Sequence, residues 1–145
     1  MKILLLEDDH YYLSLLKETV SHHIENAEIY SYEKVSDAVH NLLNYQLGLI
    51  DIQLPDGDGV AFAQTYSSYI ENVMYVTSMT NRVFETFGKN VIGFIPKENL
   101  KPLFPVKLKE FINSYRDEMI LLSTENGIVK VNMNDIIHIE TDGRK

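Results

Sequence analysis

Apolar residues fall along this chain in short blocks that alternate with stretches of helical period. Ile3, Leu4, Leu5 and Leu6 form one continuous run, residues 27–32 a second and more alternating one, and 47–52, 72–77 and 91–95 three more. Runs of this length, bounded by turn formers, predict strands of a parallel sheet covered on both faces. Between the first two, Tyr12, Leu16, Val20 and Ile24 repeat every four residues with Leu13 beside them, the stripe of a half-buried helix. Val35, Ala38, Val39 and Leu42 fall at i, i+3, i+4 and i+7 and predict a helix over about 33–44. Further helices are predicted over 59–67, less regularly over 81–87, and through Val106, Leu108, Phe111, Ile112 and Tyr115. Pro102 and Pro105 sit in the first turn of that last helix, where proline is tolerated. Five strands alternating with five helices predict an α/β domain whose parallel sheet is joined by right-handed crossovers.

From about residue 118 the pattern changes. Apolar runs at 119–122 and 128–131 flank Glu125, Asn126 and Gly127, a hairpin signal, and 135–140 reads as one more strand. A hairpin plus one strand is marginal alone. The segment therefore reads as the beginning of an all-β domain that is incomplete here.

Composition narrows the function classes. The 145 residues suit one domain with little left over. Absence of cysteine excludes a disulfide framework and a thiolate metal site. No run reaches the length of a membrane span and the first residues form a strand rather than a secretory signal, so a cytoplasmic protein without a membrane partner is expected. A formal net charge of -8 argues against nucleic acid as a partner of this segment taken alone.

The candidate chemistry lies at the strand ends. The first strand runs into Glu7, Asp8 and Asp9, the third ends at Asp51, the fourth at Thr77 and the fifth at Lys97. Open parallel sheets gather ligands at the carboxyl edge of their strands. Each residue alone has an ordinary explanation: a turn aspartate, a β-branched strand residue, a surface lysine. Together at one edge they point to metal-assisted phosphoryl transfer to a carboxylate, for which aspartate is a competent nucleophile. A phosphoryl donor and an attacking carboxylate are both negative, so a divalent ion must bridge them, and Mg²⁺ suits one or two carboxylates with retained waters. Asp8 and Asp51 would bind it directly, Glu7 would act through water, and the backbone carbonyl of Gln53 would complete the shell. Lys97 would neutralise a phosphoryl oxygen and the Thr77 hydroxyl would donate to another.

This set resembles the receiver domain of two-component response regulators. An acid pair follows strand one, Asp51 precedes Leu54, Pro55, Asp56, Gly57, Asp58 and Gly59, a threonine ends strand four and a lysine ends strand five, in order over residues 1 to about 117. The resemblance implies a flavodoxin-like doubly wound sheet in the order 2-1-3-4-5. It implies Asp51 as phosphoacceptor, Glu7 and Asp8 as the acidic pocket for Mg²⁺ or Mn²⁺, Thr77 as switch hydroxyl, Lys97 as phosphate-pairing lysine and Phe94 as switch aromatic. It also implies a histidine kinase as donor, a homodimer on phosphorylation, and a phosphoacceptor whose only reactions are its own phosphorylation and dephosphorylation rather than an enzyme. One departure stands out: Pro96 precedes Lys97 and Glu98 follows it, whereas the family often has proline directly after its lysine. Met79, two residues past Thr77, puts a large apolar group near the path of an attacking water.

Residues 118–145 resemble the opening strands of the LytTR DNA-binding domain through Gly127, Ile128, Val129, Lys130 and Val131 and then 135–140. That likeness implies transcriptional regulation in which DNA is bound only through the full-length output domain, most of which is absent from this chain. Two alternatives use the same residues: a phosphohydrolase with an aspartyl-phosphate intermediate, and an interaction module that is never phosphorylated. A hydrolase of this chemistry would want a second aspartate two residues past the nucleophile, where Gln53 stands. Asp56, Gly57, Asp58 and Gly59 do not make a calcium loop, because its first and last ligand positions would be Leu54 and Thr65. His10, His22, His23, His40 and His138 form no ligand set at metal spacing.

Overall fold

The computed structural model describes the backbone of residues 1–126 and the side chains of residues 1–118. Strands β1 (Lys2–Leu6), β2 (Glu28–Tyr32), β3 (Leu47–Ile50), β4 (Val73–Thr77) and β5 (Val91–Pro96) form one sheet in the order β2-β1-β3-β4-β5. Every pair in it is parallel. This is the flavodoxin-like order that the family resemblance implied. Helices α1 (His10–His23), α2 (Val35–His40), α3 (Gly59–Thr65) and α4 (Leu100–Asn126) connect and follow the strands. Met1–Lys107 is one compact unit, and the chain from Leu108 onward belongs to a second.

The apolar runs fold as strands because the sheet interior can cover both of their faces. Residues 3–6, all of β3 and all of β4 are buried. Side chains alternate across a strand. Leu4, Leu6, Ile50 and Tyr75 share one core cluster with Ala38 of α2 and with Val60, Phe62 and Ala63 of α3. Ile3, Leu5, Leu49, Met74 and Val76 point the other way and are equally buried, as are Leu16 and Val20 of α1 and Leu100 and Phe104 of α4.

The structure departs from the sequence reading at four points. Helix α2 is confined to Val35–His40, because Asn41 turns its backbone N–H to Ala38 and the Tyr45 hydroxyl donates to the Asn41 carbonyl at 3.0 Å. The fourth helix is a 3₁₀ segment, Thr80–Glu85, which suits its irregular apolar pattern. Pro102 lies in the first turn of α4, but Pro105 lies inside the helix, where it lacks the N–H of an i→i−4 bond. Finally, α4 continues through residues 119–122, so the first arm of the expected hairpin is helical. The spacing of Phe111, Ile112, Tyr115, Met119 and Leu122 carries the helical period across that stretch. The second arm at 128–131 and the strand at 135–140 lie outside the described residues. No helix among the described residues is long and apolar enough to cross a membrane.

Candidate functional site

Register assembles the site. Leu6 is paired with Ile50, so the next residues, Glu7 and Asp51, leave the sheet side by side, and the Asp51 N–H donates to the Leu6 carbonyl at 2.9 Å. Thr77 is paired with Pro96, so Lys97 leaves next to the end of β4. The strand order reverses across β1 and β3, which is where an open sheet leaves a crevice. A cleft of about 300 Å³ opens there, lined by Asp8, Asp51, Gln53, Thr77, Met79 and Lys97 among others.

Glu7, Asp8 and Asp51 each bring a carboxylate oxygen within 4.8 Å of the others. Glu7 and Asp51 are buried while Asp8 is half-exposed in the cleft wall. The Lys97 ammonium lies between the two buried acids, 2.9 Å from Asp51 Oδ2 and 3.0 Å from each Glu7 oxygen. Only Glu7 Oε2 stands in hydrogen-bonding geometry, to Lys97 and to the Asp9 N–H at 3.1 Å. Oε1 is buried without a hydrogen-bond partner. Burial and then the Asp51 charge push the Glu7 carboxyl up to about 7, against the pull of the Asp9 N–H and of Lys97. Burial draws Lys97 downward, but its bonds to Asp51 and Glu7 outweigh that and hold it above the usual lysine range.

Three hard oxygen donors of like charge, one with a buried oxygen that no hydrogen bond satisfies, fit a small divalent cation better than they fit one another. The donor set contains no sulfur or imidazole, which points to Mg²⁺ or Mn²⁺ rather than a softer metal. Gln53, at the start of a short ribbon (Gln53–Leu54 against Gly57–Asp58), lines the same cleft.

Thr77 is wholly buried and its hydroxyl oxygen accepts from the Met79 N–H at 3.1 Å. Phe94 is not a cleft residue. It sits half-buried on β5 opposite Tyr75, packed against the core cluster. Glu7, Asp8, Asp51, Gln53, Thr77 and Lys97 are thus brought together, with Phe94 one step outside.

The loop after Asp51 is held by residues whose roles the sequence did not reveal. Asp56 accepts from the Val35 and Ser36 N–H groups at 2.7 and 3.0 Å and so caps α2 from a distance in sequence. Those bonds, the one from Ser36 foremost, hold its carboxyl below the usual range. Asp58 caps α3 through Val60 and Ala61 and also receives Arg82 Nη1 at 2.6 Å. Burial works against its ionisation, but Arg82 and the two N–H groups outweigh it and keep the carboxyl low. Gly59 is required here: a Cβ on it would collide with the Asp51 carbonyl oxygen. Tyr12 is the remaining unforeseen neighbour, its ring centroid 4.6 Å from the Lys97 ammonium. Asp9 caps α1, its side chain accepting from the Tyr11 and Tyr12 N–H groups.

Comparison with known proteins agrees with the fold. No family model matches the chain. The sensory transduction protein LytR of Streptococcus agalactiae is 31% identical over 103 residues, which are 67% of this chain and 42% of that protein, so the chain spans less than half the length of its curated relative. Among solved structures, the response regulatory domain of mrkE from Klebsiella pneumoniae superposes with a TM-score of 0.70 at 22% identity, covering 81% of this chain and 99% of that one. The response regulator TrrA from Thermotoga maritima, in complex with Mg²⁺ and BeF, superposes with a TM-score of 0.62 at 22% identity, covering 76% and 97%. The phosphorylated cyanobacterial phytochrome response regulator RcpA gives 0.64 at 22%, covering 78% and 94%. The chain therefore has the fold of response-regulator receiver domains and is similar in sequence to LytR over 103 residues.

Proposed function

We propose that Asp51 accepts a phosphoryl group from a histidine kinase in a reaction that requires Mg²⁺ or Mn²⁺. The observation that carries this reading is the Lys97 ammonium bridging Glu7 and Asp51 at a cleft walled by Asp8 and Thr77. A carboxylate oxygen of Asp51 attacks phosphorus while the bond to the donor breaks and its electron pair leaves with the donor. Glu7, Asp8, Asp51 and the Gln53 carbonyl would hold the cation, which when bound offsets the negative charge of donor and nucleophile. Lys97 pairs with a phosphoryl oxygen. Thr77 gives up its bond from the Met79 N–H and turns its hydroxyl to another, and Phe94 follows into the space released. Two or three charge-assisted hydrogen bonds of about 1.5–3 kcal/mol each suffice to shift such an equilibrium.

The changed face would be the 3₁₀ segment, β5 and the start of α4, used for dimerisation. The aromatic rings of Phe84 and Phe87, 82% and 71% exposed, support that surface as a contact face. In this reading residues 1–117 are the receiver, and 118–145, whose first residues continue α4, lead into a LytTR-type output domain through which the full-length regulator binds DNA.

A phosphohydrolase is disfavoured because Gln53 cannot act as general acid or base at the position two past the nucleophile. Incubation with Mg²⁺ and a small phosphodonor, followed by intact mass, separates the readings. A single persistent adduct is expected; rapid turnover of donor without adduct would indicate the hydrolase, and no reaction an interaction module.

A further inference from the structure

The Lys97 side chain is 8% exposed and its ammonium has three neighbours: Asp51, Glu7 and the ring of Tyr12. The first two are the carboxylates that a cation in the cluster must share. The third carries no charge and offers no oxygen lone pair at its face, so a small hydrated cation does not compete for it. An ammonium 4.6 Å from a ring centroid lies within cation–π range.

The ring is set by the acid segment itself. Asp9 donates its N–H to Glu7 Oε2 at 3.1 Å, while its carboxylate accepts from the Tyr11 and Tyr12 N–H groups at 2.9 and 3.4 Å. The turn that supplies the acids therefore also fixes the first turn of α1 and the ring on it. Tyr12 begins the apolar stripe of α1, yet unlike Leu16 and Val20 it is only half-buried. Its ring meets the ammonium at the edge of the cleft rather than completing the core.

We infer that Tyr12 is a positioning residue for Lys97, its ring face holding the ammonium beside Asp51 when a cation takes up the Glu7 and Asp51 oxygens. A lysine ammonium is carried on a flexible four-carbon stem, so its place at the cleft depends on the groups around it once its carboxylate partners are shared. The ring keeps the charge where a phosphoryl oxygen arrives. The consequence for phosphorylation rests on the phosphoacceptor reading above; the contact itself does not.

The test compares the wild-type chain with Tyr12→Leu, which removes the π face, and Tyr12→Phe, which keeps it. NMR of the Lys97 ε-methylene protons reads the contact directly, with and without Mg²⁺. An upfield ring-current shift is expected in wild type and Tyr12→Phe, persisting with Mg²⁺, and lost in Tyr12→Leu. With a small phosphodonor and saturating Mg²⁺, the maximal phosphorylation rate should fall about three- to tenfold in Tyr12→Leu and be rescued in Tyr12→Phe, with Mg²⁺ affinity within about twofold throughout. A Lys97 shift unchanged by Tyr12→Leu, or a Tyr12→Leu protein phosphorylated at the wild-type rate, overturns the assignment. A wild-type chain that shows the shift but takes up no phosphoryl group overturns the phosphoacceptor reading while upholding the contact.

Discussion

Lys97 reaches both oxygens of Glu7 at 3.0 Å but hydrogen-bonds only Oε2, so that Oε1 is buried and ion-paired without a hydrogen bond. The pair is thus incomplete within the protein. One ammonium is shared between two buried acids, with a third carboxylate within 4.8 Å, and the balance of charge is short by positive charge. Ionising Glu7 without a cation is for that reason costly.

That cost sets a pH dependence. The Glu7 carboxyl is raised by burial, then by Asp51, from 4.5 to about 7 in the folded chain. Between those values the folded state binds more protons than the unfolded, so this residue's contribution to stability is full below about pH 4.5 and is lost as pH rises through about 7. A shift of that size corresponds to about 3 kcal/mol. Denaturation of the metal-free protein between pH 4.5 and 8 should show this decline, and Glu7→Gln should flatten it. Parallel slopes for the two proteins would count against the assignment.

Metal should reverse the penalty. Mg²⁺ binding to the native state alone stabilises it by about 1.4 kcal/mol at ten times the dissociation constant. Melting with millimolar Mg²⁺ against a chelator should show a rise of several degrees, reduced in Asp51→Asn. Equal melting under the two conditions would contradict the cation site.

The loop after Asp51 yields a backbone prediction. Gly59→Ala forces a methyl group against the Asp51 carbonyl oxygen, so the loop must shift. A loss of about 1–3 kcal/mol is expected on chemical denaturation, together with slower phosphorylation. A stable, fully reactive Gly59→Ala protein would show that the approach is looser than described.

Asp58 joins two elements, the α3 N-terminus and Arg82 of the 3₁₀ segment. Asp58→Ala should cost about 1–2 kcal/mol, mostly through the lost cap, whereas Asp58→Asn should recover most of it. Equal losses in the two variants would make the ion pair, not the cap, the dominant interaction.

Met79 lines the cleft two residues past Thr77 and packs against the core cluster. If its side chain obstructs water, Met79→Ala should shorten the lifetime of the phosphorylated protein. A lifetime that is unchanged or longer would dismiss that role.

Strand residues and strand-end chemistry were readable because burial on both faces leaves a continuous apolar run, and the polar residue that ends it stands out. Asp51, Thr77 and Lys97 were found in that way. Interactions between distant segments were not readable. Asp56 looks like any turn aspartate until the loop brings it to the Val35 and Ser36 N–H groups. Tyr12 fits a core stripe by spacing alone, and nothing in the sequence places an ammonium 4.6 Å from its ring. The 33–44 reading overran α2 because Val39 and Leu42 keep the helical period while the chain has already turned at Asn41 toward Tyr45. Residues 119–122 were read as a strand from apolar content, although their period equally continues α4.

The central claim is tested most directly by locating the phosphoryl group. Wild type and Asp51→Asn are incubated with a small phosphodonor, with Mg²⁺ or with a chelator, and analysed by intact mass and peptide mapping. One phosphoryl unit on the peptide containing Asp51, present only in wild type and only with metal, is the predicted result. An adduct that persists in Asp51→Asn, or that forms equally without metal, would contradict the account.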